Sequence, residues 1–149
     1  ELKRVSKNQI IWGGNYFNLP IQRGWIFWDK DIRDGLSFSD GELAWTNFDR
    51  VLKRCFIPYS GFRGADNGGK IHPTQKPAAL YQWLLTNYAE PNQKILDTHL
   101  GSGSIAIAVD SVNKIEKMNL TLTACELDTE YYQTATKRIE EQTTWNSLF

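Results

Sequence analysis

Three observations predict that the chain adopts an α/β fold with a mixed, mostly parallel sheet. Strand, helix, strand and helix alternate through the second half of the chain, which implies parallel strands joined by right-handed crossovers. A glycine-rich turn separates an apolar strand, 95–98, from a small-residue helix, 102–112. The first half is rich in short apolar stretches with short connections, so we expect it to form the edge of the same sheet.

Four strands are predicted in the first half, over 8–17, 23–28, 42–48 and 50–59. The first begins as a buried strand and breaks at Gly13 and Gly14. Pro58 marks the edge or the end of the fourth, because proline has no N–H to donate. Six aromatic side chains in these strands are expected to be mostly core, with one or two lining a base pocket as the alternative: Trp12, Tyr16, Trp25, Phe27, Trp28 and Trp45.

The second half starts after a loop at 60–70, which has four glycines in eleven residues and is expected to be mobile. A helix follows over 77–88, with Pro77 in its first turn. Its apolar stripe consists of Leu80, Trp83, Leu84 and Tyr88. The remaining elements are strand 95–98, helix 102–112, strand 120–125 and helix 129–142.

Length and composition fit one globular domain without a bulk preference for a charged partner. The 149 residues are 41% hydrophobic and 23% charged, with a net charge of zero, so any basic footprint must be local. Cys55 and Cys125 form no CxxC pair and are expected to be reduced thiols in a cytosolic protein. No apolar run approaches the roughly 18 residues of a membrane span, and no signal peptide is visible. The only methionine is Met118, so we expect the sequence to be part of a longer protein.

The glycine turn carries two acids that narrow the choice of ligand. Gly101 to Ala106 fits the G-x-G-x-x-A form of a dinucleotide site, and Glu126 ends the next strand, where such sites hold ribose hydroxyls. Asp97 would repel a pyrophosphate but attract an ammonium group. S-adenosylmethionine has ribose hydroxyls and an ammonium group and has no phosphate. A plain strand–helix turn and a nicotinamide dinucleotide site are the alternatives.

Several motifs together resemble the amino-methylating DNA methyltransferases, which modify adenine N6 or cytosine N4. The most specific is His-Pro-Thr-Gln-Lys-Pro at 72–77, followed by a helix and the glycine turn at 95–104. Cys125 to Asp128 then precede Tyr131, Tyr132, Ala135, Arg138 and Ile139. The order resembles the permuted β class, and segments 10–17, 25–30 and 42–45 resemble phage and prophage-type adenine methylases.

This resemblance implies a circularly permuted, Rossmann-like, S-adenosylmethionine-dependent methyltransferase fold, and it implies no metal. The chain would be a single, N-terminally incomplete domain, with catalytic-half strands at 1–59 and a cofactor-binding half at 71–149. His99 departs from the more common Phe, and a His in a turn is more often structural. The implied cofactor-binding residues are His72, Thr74, Gln75, Lys76, Asp97, Thr98, His99, Gly101, Ser102, Gly103, Glu126 and Leu127.

The family's catalytic tetrapeptide, (Asp/Asn/Ser)-Pro-Pro-(Tyr/Phe/Trp), is not found in this sequence, which contains no Pro-Pro. The nearest string, Ile57 to Tyr59, places an isoleucine where a hydrogen-bond acceptor is needed. In the β-class order the tetrapeptide precedes the helix whose end resembles Leu2 to Val5. We therefore expect no catalytic residue in these 149 residues, and a gap in the sheet between strands 9–12 and 95–98 where the catalytic strand would run.

The resemblance also implies double-stranded DNA as a partner, with adenine N6 favoured over cytosine N4. It implies a bacterial or phage-encoded cytoplasmic protein in a restriction-modification or phage context. A cognate restriction endonuclease and a homodimer are further expectations. Candidate phosphate contacts are Lys53, Arg54, Arg63 and Lys70, with a solvated surface loop as the alternative. The rival functions are a catalytically dead module that binds DNA or a partner, and a nicotinamide-dependent oxidoreductase.

Overall fold

The computed structural model describes residues 1–32, 39–59 and 70–145. It divides into two compact units, Glu1–Gly64 and Ala65–Phe149. The predicted mobile loop lies outside the described residues except for Lys70, and Arg63 lies outside them as well. None of the helices formed by the described residues has the length and apolarity needed to cross a membrane.

The first unit is built on a four-stranded sheet. A short helix, α1 (Leu2–Val5), precedes β1 (Ile10–Trp12), β2 (Trp25–Asp29), β3 (Gly41–Thr46) and β4 (Lys53–Phe56). The spatial order is β1-β3-β2-β4, in which β3 is antiparallel to β1 and β2, and β4 is parallel to β2. The four strands predicted for the first half are confirmed, although each is shorter than its predicted range.

Two tryptophans form the centre of this first unit. Trp28 and Trp45 are 1% and 2% exposed, and each indole N–H reaches a backbone carbonyl: Ile57 O at 2.9 Å and Pro20 O at 2.8 Å. The predicted break after the first strand is confirmed, because Gly13 has a φ of +66° and a 3-10 helix, Gly14–Tyr16, follows. Tyr16 lies in that helix rather than in the predicted strand and is 84% exposed, so it is the exception among the six aromatic residues that were expected to be mostly core.

The second unit alternates helices and strands as predicted. Its elements are α2 (Ala78–Tyr88), β5 (Lys94–Asp97), α3 (Ser104–Ile115), β6 (Thr121–Ala124) and α4 (Thr129–Trp145). β5 and β6 are parallel, with Asp97 opposite Ala124 at their carboxyl ends. The buried core of the unit consists of Leu85, Ile105, Ala108, Val109, Val112, Met118 and Leu120.

The strands form two hydrogen-bonded sheets, so the expectation that the first half supplies the edge of one continuous sheet was wrong for the described residues. β1 to β4 form one sheet, and β5 and β6 form the other. No described strand is hydrogen-bonded both to β1 and to β5, so the hydrogen bonding of the described strands does not continue from one sheet into the other.

Candidate functional site

The glycine turn, residues 98–103, connects β5 to α3 in a conformation that glycine favours. Gly101 and Gly103 have φ values of +54° and +77°, in the left-handed region. The Gly101 N–H donates to Glu126 Oε2 at 2.8 Å, and the Gly103 N–H donates to Leu100 O at 3.0 Å. Both glycine N–H groups are therefore used by the protein itself and are not held open for an anion.

Glu126 follows β6 and binds the backbone of two segments. One carboxylate oxygen accepts the Gly101 N–H, and the other accepts the N–H groups of Leu127 at 2.9 Å and Asp128 at 3.1 Å. These bonds lower the pKa of Glu126, with Asp128 contributing most and Gly101 next. Glu126 is thus a stabilised anion that fixes the glycine turn to the end of β6.

Asp97 ends β5 at the same edge of the sheet, because parallel strands bring their carboxyl ends together. Burial raises the pKa of Asp97, and the charge of Glu126 acts in the same direction. The His99 N–H, 3.0 Å from Asp97 Oδ1, opposes this change. The turn is therefore flanked by two acids that interact electrostatically. This arrangement suits a ligand with a cationic group and hydroxyl donors.

The 72–77 segment lies over the glycine turn through His72. A Cβ placed on Gly101 would lie 3.6 Å from the His72 ring, and that ring also packs against Tyr131, at 4.4 Å between centroids. The Thr74 N–H donates to His72 Nδ1 at 3.3 Å. Gln75 is buried, and its side-chain oxygen accepts the Ile71 N–H at 2.9 Å. These bonds fix the shape of the segment beside the turn.

The other predicted cofactor residues differ in accessibility. Thr98 and His99 lie in the turn with Oγ1 and Nδ1 2.9 Å apart, and His99 is exposed. Ser102 is buried, Lys76 is half-buried, and Leu127 is completely exposed beside Glu126. The structure thus brings the turn, the 72–77 segment and Glu126 together within one compact unit.

Two residues of α4 contact the site in ways that sequence reasoning missed. Tyr131 packs its ring against His72, and Arg138 donates to the carbonyl of Ser102. Both had entered only as part of the family resemblance. Their roles depend on contacts between residues that are far apart in the chain, for which local periodicity carries no signal.

Two of the predicted DNA contacts lie together on β4. Lys53 and Arg54 are both exposed there. Arg54 forms an ion pair with Asp29 at 2.7 Å and lies 5.3 Å from the centroid of the Phe56 ring. Lys70, in the second unit, is exposed. Arg54 and Phe56 therefore share one face of β4, whereas the preceding residue, Lys53, lies on the opposite face of the strand.

Comparison with known proteins gives one family. Residues 8–137 match the model of a family described as DNA methylase, N6_N4_Mtase. The fold is similar to that of M1.HpyAVI, solved in complex with SAM, with 25% identity and a TM-score of 0.56, over 77% of this chain and 60% of that one. TTHA0409 of Thermus thermophilus, solved with S-adenosyl-L-methionine, has 17% identity and a TM-score of 0.49, over 80% and 53% of the two chains. The chain thus spans about 60% of the length of M1.HpyAVI.

Proposed function

The chain belongs to this DNA methylase family, and we propose that it forms the cofactor-binding part of an S-adenosylmethionine-dependent DNA methyltransferase. One observation carries the proposal: Asp97 and Glu126 flank a glycine turn whose glycine N–H groups already have protein acceptors. A pyrophosphate needs free N–H donors and no adjacent carboxylates. This arrangement therefore argues against a nicotinamide dinucleotide.

The two acids would have different tasks in binding. Asp97, whose burial raises its pKa, regains favourable interactions when an ammonium group comes beside it. Glu126 uses about three of its four acceptor positions on backbone N–H groups, so ribose hydroxyls would take the remaining position or exchange with one of these bonds. Bound S-adenosylmethionine would supply a methyl group on a positively charged sulfur.

The reaction of the intact protein would be a direct displacement. An exocyclic amine of DNA would attack the methyl carbon in line as the carbon–sulfur bond breaks, and the amine would then lose a proton. Proximity and orientation would provide most of the acceleration. Adenine N6 is the favoured acceptor and cytosine N4 the alternative. The permuted β class, the restriction-modification or phage context, the endonuclease partner and the homodimer stay predictions from the resemblance.

Charge distribution supports DNA binding by the first unit. Residues 1–64 contain ten Lys and Arg against seven Asp and Glu, whereas residues 65–149 contain seven against ten. The zero net charge of the chain therefore conceals a basic and an acidic part. Lys53, exposed on β4, is our first candidate for a phosphate contact, whereas Arg54 forms an ion pair with Asp29.

The cofactor proposal is tested by titrating the intact protein with S-adenosylmethionine in a calorimeter. We expect saturable binding that Glu126→Ala weakens at least tenfold and that Glu140→Ala, which removes an exposed acid of α4, leaves within twofold. Absence of binding to the wild-type protein, or equal affinity in Glu126→Ala, would refute the proposal.

The reaction is tested with tritiated cofactor and double-stranded DNA, followed by analysis of the methylated base. N6-methyladenine is the expected product, and N4-methylcytosine would select the alternative. The absence of Pro-Pro favours one rival, a catalytically dead module. Cofactor and DNA binding by the intact protein without methyl transfer would support that rival instead.

The DNA contact is tested through the salt dependence of binding. Removing one phosphate contact lowers the slope of log affinity against log salt by about 0.9. We expect this change for Lys53→Ala and none for the control Lys94→Ala, which removes an exposed lysine of β5. Equal slopes for the wild type and Lys53→Ala would remove Lys53 from the DNA surface.

A further inference from the structure

Arg138 is a buried cation that joins α4 to the glycine turn. Only 5% of the residue is exposed. Its Nη1 donates to the carbonyl oxygen of Ser102 at 2.6 Å and to Ser104 Oγ at 3.1 Å, and the two serine hydroxyls lie 3.1 Å apart. The guanidinium thus contacts the turn through its backbone and also contacts the first residue of α3.

A buried cation beside a helix N-terminus calls for a physical explanation. Arginine stays charged in proteins, and burying its charge costs desolvation, which its polar contacts must offset. The N-terminus of α3 is also the positive end of a helix dipole, which disfavours a nearby cation. An apolar side chain of similar size would fill the space between α4 and α3 without either cost.

The acceptor of Arg138 suggests what the cation provides. Ser102 lies between Gly101 and Gly103, which both have left-handed backbone, so its peptide groups set the path of the turn. Gly101 in turn donates its N–H to Glu126, and the His72 ring packs over it. A donor that holds the Ser102 carbonyl therefore also holds the neighbouring groups that face the proposed ligand.

We propose that Arg138 is a positioning residue of the cofactor site, which holds the Ser102 carbonyl so that Gly101, Glu126 and His72 keep the geometry that S-adenosylmethionine requires. This inference rests on the proposed cofactor. Arg138 is buried behind the turn and acts through Ser102 and Ser104. A residue that only fastened α4 to α3 would affect folding and leave the affinity of the folded protein unchanged.

The test compares Arg138→Met and Arg138→Lys in the intact protein with the control Val112→Ala. Val112 is 2% exposed in the core of the second unit and lies about two helical turns beyond Ser104 on α3, so its truncation lowers stability by leaving a cavity away from the Arg138 contacts. Cofactor affinity is measured by calorimetry well below the melting temperature of every variant. Amide ¹H–¹⁵N signals of residues 101–104 report the shape of the turn in the same samples.

We expect Arg138→Met to weaken binding at least tenfold and to shift the signals of residues 101–104. Arg138→Lys should weaken it about threefold, because an ammonium group can reach one acceptor but does not reproduce the guanidinium geometry. Val112→Ala should remain within twofold. If Arg138→Met does not fold, the Arg138→Lys result decides, and wild-type affinity in that variant overturns the proposal.

Other outcomes separate this inference from the proposed function. The role of Arg138 is overturned if the wild-type protein binds the cofactor and Arg138→Met binds it with unchanged affinity. It is also overturned if Val112→Ala loses as much affinity as Arg138→Met. Both outcomes leave the proposed cofactor unaffected. Absence of binding to the wild-type protein overturns both.

Discussion

Replacing Gly103 by alanine tests how closely the turn must approach α4. A Cβ at this position would lie 2.8 Å from Cδ1 and 2.9 Å from Cγ1 of Ile139. The φ of +77° adds about 1–2 kcal/mol for a residue with a Cβ. Overpacking against Ile139 adds about 1–3 kcal/mol. Gly103→Ala should therefore lower the free energy of unfolding by about 2–5 kcal/mol.

Gly101→Ala is the matched control, because it changes the same turn without the close approach. Its φ is +54°, and an added Cβ would lie 3.6 Å from the His72 ring, an ordinary van der Waals distance. Only the backbone cost of about 1–2 kcal/mol should remain. Urea unfolding followed by circular dichroism measures both variants.

The two variants are then repeated in an Ile139→Ala background. Truncating Ile139 removes the atoms that a Cβ added at Gly103 would meet, so the further cost of Gly103→Ala should fall to about 1–2 kcal/mol, whereas that of Gly101→Ala should not change. Equal costs for the two glycine variants in the wild-type background, or strict additivity of Gly103→Ala and Ile139→Ala, would refute the reasoning.

Three further predictions concern ionisable groups. The pKa of Glu126 is lowered below 4.5, so its contribution to stability is present above that pH and is lost as the pH falls through the folded pKa. The difference in melting temperature between the wild type and Glu126→Gln should therefore shrink as the pH is lowered from neutral to below the folded pKa. A difference that stays constant with pH would contradict this prediction. Burial raises the pKa of Asp97, so Asp97→Asn should have a free energy of unfolding at neutral pH equal to or higher than that of the wild type. The same substitution should weaken S-adenosylmethionine binding at least tenfold. Lower stability without loss of affinity would reverse this interpretation. Burial raises the pKa of Cys55 to about 11, whereas Cys125 is exposed. A thiol reagent at mildly alkaline pH should therefore modify Cys125 alone in the folded protein and both cysteines in urea, which mass spectrometry measures. Two modified thiols in the folded protein would show that Cys55 is accessible.

The elements of this fold could be predicted because their signals are local. β2 is an apolar run ended by Asp29 and Lys30, and β5 is a short apolar run between a polar turn and a glycine turn. The same holds for the break at Gly13, where glycine takes a conformation that other residues avoid. Sequence reasoning is strongest where one residue type has one conformational consequence.

Contacts between distant residues account for what the sequence did not predict. The burial of Arg138 against the glycine turn leaves no periodic trace in the sequence. Glu126 was predicted as a ribose acid from its place after a strand, yet its bond to the Gly101 N–H could be read only from the structure. Gln75 was assigned to the cofactor from a motif, and the structure adds that its side chain supports the backbone at Ile71.

The accessible face of the β5–β6 pair has a consequence for handling the chain in solution. Every second residue along both strands is exposed, and Leu96 is 42% exposed among them. Within the described residues β5 is hydrogen-bonded to β6 alone, so no described strand pairs with its other edge. Such an edge recruits strands from other molecules, and a charged residue on it opposes this association. Lys94 is the charged residue at one end of β5, and Leu96→Lys would place a second charge on the strand and should reduce association of these 149 residues in concentrated solutions.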